Sequence, residues 1–267
     1  MEQARYREYP VNPALAPFVK CIWSLESTLS TYDAPWERIL PDGCLELVFH
    51  FRDPFLSRFA NGEEVLQPFS FVVGQMRRFL EIKPAGQTGF VAVRFYAHGA
   101  YRFFPRSLND VAAGVVHLPE VWRTRGKEWT DRVASARGMQ RRIQVVEQLL
   151  MTALCRYGRK DPAVDQCLNL IALSEGQGSV IRLAAEIGLS SRHLNRRFQT
   201  AVGLTPKEFS RLQRFLSALR RVKDQKEALT EIAVACGYFD QAHFNHDFRE
   251  FAGMAPGELS TFPNVAF

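Results

Sequence analysis

The sequence predicts an α+β protein: an N-terminal antiparallel β domain followed by helices, then an all-α domain. Three observations support this fold class. The first part of the chain alternates with period two, the part after residue 100 has helical periodicity, and the last third contains an internal repeat. With 267 residues and 46% hydrophobic content, the chain is long enough to bury two modest cores. We therefore expect a first domain at residues 1–160 and a second at residues 161–267.

The β-rich part is expected at residues 6–97. Apolar side chains occupy every second position in LELVFHF (45–51) and in FVAVRFYA (90–97), which is typical of half-buried strands. The turn signals between such runs are PDG at 41–43, NG at 61–62 and PAG at 84–86.

The polar faces of these two strands carry Glu46, His50, Arg94 and Tyr96. If the faces line a barrel lumen, they form a pocket for a small polar effector, with Arg94 facing an anion and Glu46 facing a donor. Trp23 and Trp36 are alternative candidates for a wall of that pocket. If the faces point outward, the same side chains are merely solvated, and the sequence leaves both interpretations open.

Residues 100–158 are expected to be helical, and 139–157 is the clearest segment. Its apolar residues recur at alternating four- and three-residue steps: Met139, Ile143, Val146, Leu150, Ala153 and Tyr157. Such a seam would suit a helix–helix pairing between two subunits. Val145, Leu149 and Leu154 widen the stripe, which favours packing on the protein's own sheet instead. Both interpretations stay open at this point.

The formal net charge of +6 conceals an uneven distribution. Residues 176–226 contain eleven Lys or Arg against three acids, whereas residues 227–267 contain one against six. A concentrated basic segment indicates a polyanionic partner such as nucleic acid.

The C-terminal third repeats itself at an offset of 50 residues. The matching pairs are His193/His243, Asn195/Asn245, Phe198/Phe248, Gly203/Gly253, Pro206/Pro256 and Glu208/Glu258. Before this match the offset is 49, because the second copy has one extra residue in the turn after its glycine. Each copy consists of a short apolar helix (LAAEIG or IAVACG), a glycine turn and a second helix. That arrangement is a helix-turn-helix unit.

We place the two units at about residues 180–203 and 229–253. Between them, TPKE (205–208) is a capping box with proline at the first helical position, and it begins a helix expected to run to about residue 222. A rigid connector of this length suits the placement of both second helices in neighbouring major grooves of DNA.

At these residues the chain resembles the AraC/XylS family of transcription regulators. The resemblance is carried by LAAEIGLSSRHLNRRFQTAVGLTPKEF and IAVACGYFDQAHFNHDFREFAGMAPGEL, over about residues 176–260. PDGCLELVF and VAVRF are also similar to the cupin-like sensor domains of one branch of the family. The resemblance implies a sequence-specific DNA-binding regulator with an unknown small-molecule effector, dimerisation through the sensor domain, and no cofactor. Activation through RNA polymerase is commoner in the family than repression, but nothing in the sequence selects between them.

The motif assigns the second helix of each unit as the recognition helix. The residues expected to read bases are Ser191, Arg192, Asn195, Arg196 and Gln199 in the first, and Gln241, Asn245 and His246 in the second. The residues expected to contact phosphate are Lys207, Arg211, Arg214 and Arg249. Arg suits bidentate contact with guanine, and Asn or Gln suits adenine. Arg197, one step round the helix, would contact either phosphate or an acidic neighbour.

The second copy departs from the family pattern, which often has arginine where His246 stands. Because residues 227–267 are acidic overall, we expect weak attraction to phosphate there. The hypothesis is that the first copy anchors the protein on DNA and the second adds modest discrimination.

Several other classes of protein find little support. The five cysteines have no CxxC spacing and an odd number, which indicates reduced thiols in a cytoplasmic protein. No third ligand stands at usable spacing around His50, His98 or His117, so we expect no metal. No catalytic arrangement is evident, and we expect no enzymatic activity. The alternatives are a cupin-like enzyme with a nucleic-acid-binding C-terminal domain, or a module that docks on an acidic protein.

Overall fold

The computed structural model describes residues 5–26, 34–111, 114–261 and 265–266. Its strands are β1 (Arg5–Tyr9), β2 (Val19–Glu26), β3 (Glu37–Ile39), β4 (Leu45–His50), β5 (Phe55–Arg58), β6 (Glu64–Leu66), β7 (Ser70–Val73), β8 (Leu80–Pro84), β9 (Gly89–Phe95), β10 (Val115–His117) and β11 (Val265–Ala266). Its α-helices are α1 (Leu118–Trp122), α2 (Thr124–Ser135), α3 (Met139–Tyr157), α4 (Pro162–Leu173), α5 (Val180–Ile187), α6 (Ser191–Val202), α7 (Pro206–Asp224), α8 (Leu229–Ala235) and α9 (Gln241–Ala252). Short 3-10 helices lie at Ala100–Arg102, Leu108–Val111 and Pro256–Thr261.

The strands form two sheets, which confirms the predicted α+β fold class. The first has the order β1-β2-β9-β4-β7-β10, and the second has the order β11-β3-β8-β5-β6. Neighbouring strands pair antiparallel except β11, which pairs parallel with β3 and so joins the far end of the chain to the N-terminal domain. At the centre of the first sheet, β4 and β9 place Glu46 opposite Arg94.

Both faces of the first sheet are covered, which differs from the half-buried strands that the alternation predicts. One face, with Leu47, Phe49 and Val93, packs in a core shared with the helices. The opposite face, with Val48 and Ala92, packs toward the second sheet. The side chains therefore do alternate between the two faces of the sheet. One face packs in the core with the helices, and the other faces the second sheet rather than solvent.

Helix α3 has the bounds that its periodicity predicts, and its seam lies inside the protein. Ile143, Val146, Leu150 and Ala153 are buried in the same core as the first sheet, together with Val145 and Leu149. Of the two interpretations, packing on the protein's own sheet is therefore right, and pairing of two subunits through this seam is wrong. The wide apolar stripe explains why α3 packs on the sheet, because such a stripe needs a broad apolar surface to cover it.

The C-terminal helices follow the repeat closely. Both short helices end at a glycine in the left-handed region, Gly188 with φ +73° and Gly237 with φ +74°. The second unit has one more residue between that glycine and the N-cap of its recognition helix, as predicted. The predicted Thr205 capping box is present, and α7 continues from it for 19 residues, or about 28 Å.

The helix-turn-helix units are packed onto the rest of the chain. Helix α6 contacts the 3-10 helices at Ala100–Arg102 and Leu108–Val111, and one hydrophobic cluster runs from the first sheet through to α9. None of the described helices is long and apolar enough to cross a membrane.

Candidate functional site: a nucleic-acid interface and an interior cavity

The first recognition helix, α6, separates its apolar and polar residues cleanly. Leu194 and Phe198 are fully buried, whereas Arg192 and Arg196 are exposed on the other side. Ser191, Asn195 and Gln199 are partly exposed. The helix begins at Ser190, whose hydroxyl accepts from the backbone N–H of His193 at 3.3 Å. A basic and amide-rich face is thus held outward on a helix with both ends capped.

Arg197 turns away from this face. Its Nη2 and Nε donate to the two carboxylate oxygens of Asp161 at 2.6 and 3.0 Å. Asp161 also accepts from the backbone N–H of Val164 as the N-cap of α4. Burial raises the pKa of this carboxyl, but the hydrogen bonds from Arg197 and Val164 outweigh it and leave the pKa below its usual range. Of the two expected partners, the acidic neighbour is therefore the one that Arg197 has.

The second recognition helix, α9, repeats the pattern with less positive charge. Phe244 and Phe248 are fully buried, and Gln241, Ala242, His246 and Arg249 are exposed. Asn245 is partly exposed. Asp240 caps the helix through the N–H of His243 at 2.7 Å, the position equivalent to His193 in the first unit. Both histidines therefore occupy the capped third position of their helices.

Two of the predicted phosphate contacts are already bound within the protein. Arg211 Nη2 lies 2.6 Å from a carboxylate oxygen of Asp247 and 2.6 Å from one of Glu250. Arg214 donates to the carbonyl of Gly237 at 3.2 Å, and its guanidinium lies over the ring of Tyr238. Both side chains bind α7 to the second unit instead of facing outward. The sequence could not show this, because the acidic partners lie about 36 residues further along the chain.

The remaining phosphate candidates, Lys207 and Arg249, are exposed. Lys207 lies in the first turn of α7, and Arg249 lies in the last turn of α9. Both are therefore accessible to a nucleic-acid backbone.

A cavity of about 310 Å³ lies between the two sheets. Its walls are largely apolar and aromatic, with Trp23, Phe55, Phe71, Phe90 and Ile82 among them. Glu46 and Arg94 contribute to its polar side, as the barrel-lumen interpretation expects. A concave, mostly apolar space with few polar groups is typical of a small-molecule site.

The polar side of the cavity is a connected ion cluster. Arg94 Nε donates to Glu46 Oε1 at 2.7 Å and lies 3.5 Å from Asp42 Oδ2. Trp23 Nε1 donates to the same Glu46 oxygen at 3.2 Å. Burial raises the pKa of the Glu46 carboxyl, and Arg94 acts in the opposite direction.

The other predicted pocket residues lie outside the cavity wall. His50 is buried behind it, where its Nε2 is 3.1 Å from Gln67 Oε1, and burial lowers its pKa to about 4. Tyr96 follows the end of β9, is exposed, and stacks on His98. Trp36 precedes β3 and packs under the guanidinium of Arg58. The prediction for Tyr96 was wrong because β9 ends at Phe95, so the alternation of the strand does not extend to Tyr96.

A loop between β7 and β8, residues 74–79, links the cavity to the helix-turn-helix units. Met76 lines the cavity and also a small pocket beside α7 and α9. Arg77 donates to Glu208 at 3.0 Å and to the carbonyl of Gly203, the C-cap of α6, at 3.4 Å. Phe79 packs against Gly253, the C-cap of α9. Nothing in the sequence marks this loop, because its partners belong to a distant part of the chain.

Two helix-turn-helix units joined by one long helix define a class of double helix-turn-helix proteins. A helix-turn-helix domain family matches residues 183–261. A domain of unknown function (DUF6597) matches residues 7–117. Together with the repeat and its capped recognition helices, the match over residues 183–261 supports a C-terminal domain of the AraC/XylS type.

Two curated proteins described as HTH-type transcription regulators are similar to parts of this chain. An uncharacterized HTH-type transcriptional regulator of Escherichia coli (strain K12), YidL, is 29% identical over 169 residues, which is 59% of this chain and 57% of that protein. The HTH-type transcriptional activator RhaS of Pectobacterium atrosepticum is 36% identical over 77 residues, 29% of this chain and 28% of that protein. The chain thus spans little more than half of the first relative's length. The solved structure of ToxT from Vibrio cholerae is 10% identical, covers 89% of this chain and 97% of its own, and has a TM-score of 0.46.

Proposed function

We propose that the protein is a sequence-specific DNA-binding regulator of transcription whose N-terminal domain responds to a small molecule. The observation that carries the proposal is the outward face of the two recognition helices. Arg192, Asn195 and Arg196 lie at i, i+3 and i+4 opposite the buried Leu194 and Phe198, the spacing that offers several base-reading groups to one groove.

The two units have different tasks in this proposal. The first unit carries two exposed arginines on its recognition face, whereas the second carries His246 beside two acids that engage Arg211. Neutralisation of phosphate supplies most non-specific affinity, so the first unit anchors the complex. The second unit adds discrimination through Gln241, Asn245 and His246.

Control by a small molecule is supported by the loop at residues 74–79. The same short segment forms part of the cavity wall and contacts the C-caps of both recognition helices. A ligand that displaces Met76 would therefore move Arg77 and Phe79, and with them the ends of α6 and α9. Coupling of this kind requires a ligand that binds one arrangement of the loop better than the other.

A gel-shift series with the DNA upstream of the protein's own gene, repeated at several salt concentrations, tests the proposal. We expect selective binding with a steep loss of affinity as salt rises. Binding that shows no preference over random DNA would refute a sequence-specific regulator. We also propose that the protein forms a homodimer and contacts RNA polymerase. Sedimentation tests the first proposal, and polymerase recruitment assays on the same promoter test the second.

A further inference from the structure

Among the residues that the structure describes, one cationic side chain and three carboxylates line the interior cavity. Asp42, Glu46 and the exposed Glu37 line the cavity together with a single guanidinium, that of Arg94. The lining is therefore negatively charged overall, while the rest of the wall is apolar. An uncompensated negative charge beside a low-dielectric wall favours a cation far more than the same charge would in water.

The positive charge of Arg94 is already balanced. Its Nε is shared between Glu46 at 2.7 Å and Asp42 at 3.5 Å, and its guanidinium lies 5.4 Å from the ring centroid of Trp23. An anionic ligand would bring a third negative charge to a guanidinium that two carboxylates already surround. The geometry therefore argues against the expected role of Arg94 as the receptor for an anion.

The open hydrogen-bonding capacity of the carboxylates consists of acceptors. Glu46 Oε1 receives both Arg94 and Trp23, and among the described residues none donates to Glu46 Oε2. Glu37 also lines the cavity, at an exposed position. A ligand that fills this capacity must carry hydrogen-bond donors, and the negative charge of the lining favours donors on a cationic group.

The aromatic wall of the cavity also favours a cationic ligand. Trp23 lies between Tyr6 at 5.4 Å and Phe90 at 4.9 Å between ring centroids, and all three rings line the cavity. Aromatic faces attract ammonium and guanidinium groups, and they also pack on an apolar body. Both parts of one amphiphilic cation thus find partners here.

We infer that the cavity binds an organic cation: an ammonium or amidinium group on an apolar, ring-sized body. The charged group lies against Glu46, Asp42 and Glu37, and the body lies among the aromatic side chains. This inference rests on the proposed sensing role of the N-terminal domain and names the class of its ligand.

Calorimetry on the full chain with matched compounds tests the inference. The probes are tryptamine, tryptophol and indole-3-propionate, with the corresponding phenyl series for a smaller body. We expect the amine of at least one series to bind about ten-fold more tightly than its carboxylate, with the alcohol between them. Tighter binding of the carboxylate, or binding of neither amine, overturns the inference.

Single substitutions identify which carboxylate causes the preference for the amine. Glu46→Gln removes one carboxylate and leaves Arg94 undercompensated, so we expect the preference to shift from the amine toward the carboxylate. Glu37→Gln, at an exposed position, should weaken the amine about two- to five-fold. Glu63→Gln, an exposed carboxylate outside the cavity, is the matched control and should change nothing. Equal amine binding by all three variants contradicts the inference, and thermal unfolding verifies that each variant is folded.

The gel-shift series separates this inference from the proposed function. Selective DNA binding without any amine preference leaves the regulator standing and removes only the ligand class. Amine binding without selective DNA binding supports the ligand class and removes the proposed regulator.

Discussion

Neighbouring arginines on one helix have different environments. Arg196 is exposed on the recognition face, whereas Arg197 is held by Asp161 at the start of α4. Helical spacing predicted that they point in different directions. It could not identify Asp161, because that residue lies 36 positions earlier in the chain.

We expect Arg196→Ala to remove detectable operator binding, because the residue supplies both a bidentate base contact and part of the positive charge of the anchoring unit. His246→Ala should cost much less. Gel-shift titration at one salt concentration measures both. Comparable losses from the two substitutions would show that the units share the work equally.

His50 gives the N-terminal domain a pH-dependent component of stability. Its folded pKa is about 4, below the ordinary 6.5, because burial disfavours the imidazolium. Between these values the unfolded chain binds the proton and the folded chain does not, so stability is lost as pH falls from about 6.5 toward 4. The component amounts to roughly 2–3 kcal/mol at the acid end.

His50→Gln removes this component. Urea unfolding of both proteins at pH 7 and pH 4.5 is the measurement, and the variant should lose less stability on acidification than the wild type. Parallel losses in the two proteins would mean that His50 is not responsible.

At the scale of elements, the connector helix α7 has an N-terminal cap that its sequence predicts and an ion pair, at Arg211, that its sequence does not predict. Its capping box at Thr205 and Glu208 follows from four adjacent residues. The Arg211 ion pair depends on how α7 and α9 cross, which local sequence does not specify. Asp247 is 1% exposed and forms an ion pair with Arg211.

We expect Arg211→Ala to lower the free energy of unfolding by about 3–5 kcal/mol, because it leaves a buried carboxylate unpaired. Chemical denaturation measures the loss. Lys207→Ala, an exposed change on the same helix, should instead leave stability nearly unchanged and reduce the salt dependence of DNA binding by about one phosphate. If Arg211→Ala behaves like Lys207→Ala, Arg211 is a phosphate contact after all.

The elements themselves were the part most open to prediction. Gly188, Gly237 and the polar caps act over three or four residues, so the helices of the repeat follow from local sequence. The cavity was foreseen only as one of two alternatives, since alternation cannot tell a second sheet from solvent. The loop at residues 74–79 and the pairing of β11 with β3 are long-range contacts without a local signal.

At the scale of the whole molecule, we expect Arg77→Ala to loosen the contact between the N-terminal domain and the first helix-turn-helix unit. Amide hydrogen exchange should become faster around the end of α6 and the start of α7, because Gly203 and Glu208 lose a shared partner. Arg78→Ala, at an exposed neighbouring position, is the control. Unchanged exchange in the Arg77 variant would show that the loop does not restrain this unit.

The shared core has a consequence for modular engineering. A cut at residue 160 would preserve the ion pair between Arg197 and Asp161, because both residues belong to the C-terminal part. It would remove the contacts of α6 with the 3-10 helices at Ala100–Arg102 and Leu108–Val111. Chimaeras that graft these helix-turn-helix units onto a foreign sensor would therefore expose an apolar flank of the recognition helix. Such exchanges should succeed only when the recipient supplies a matching surface, so specificity in this protein is not freely transplantable.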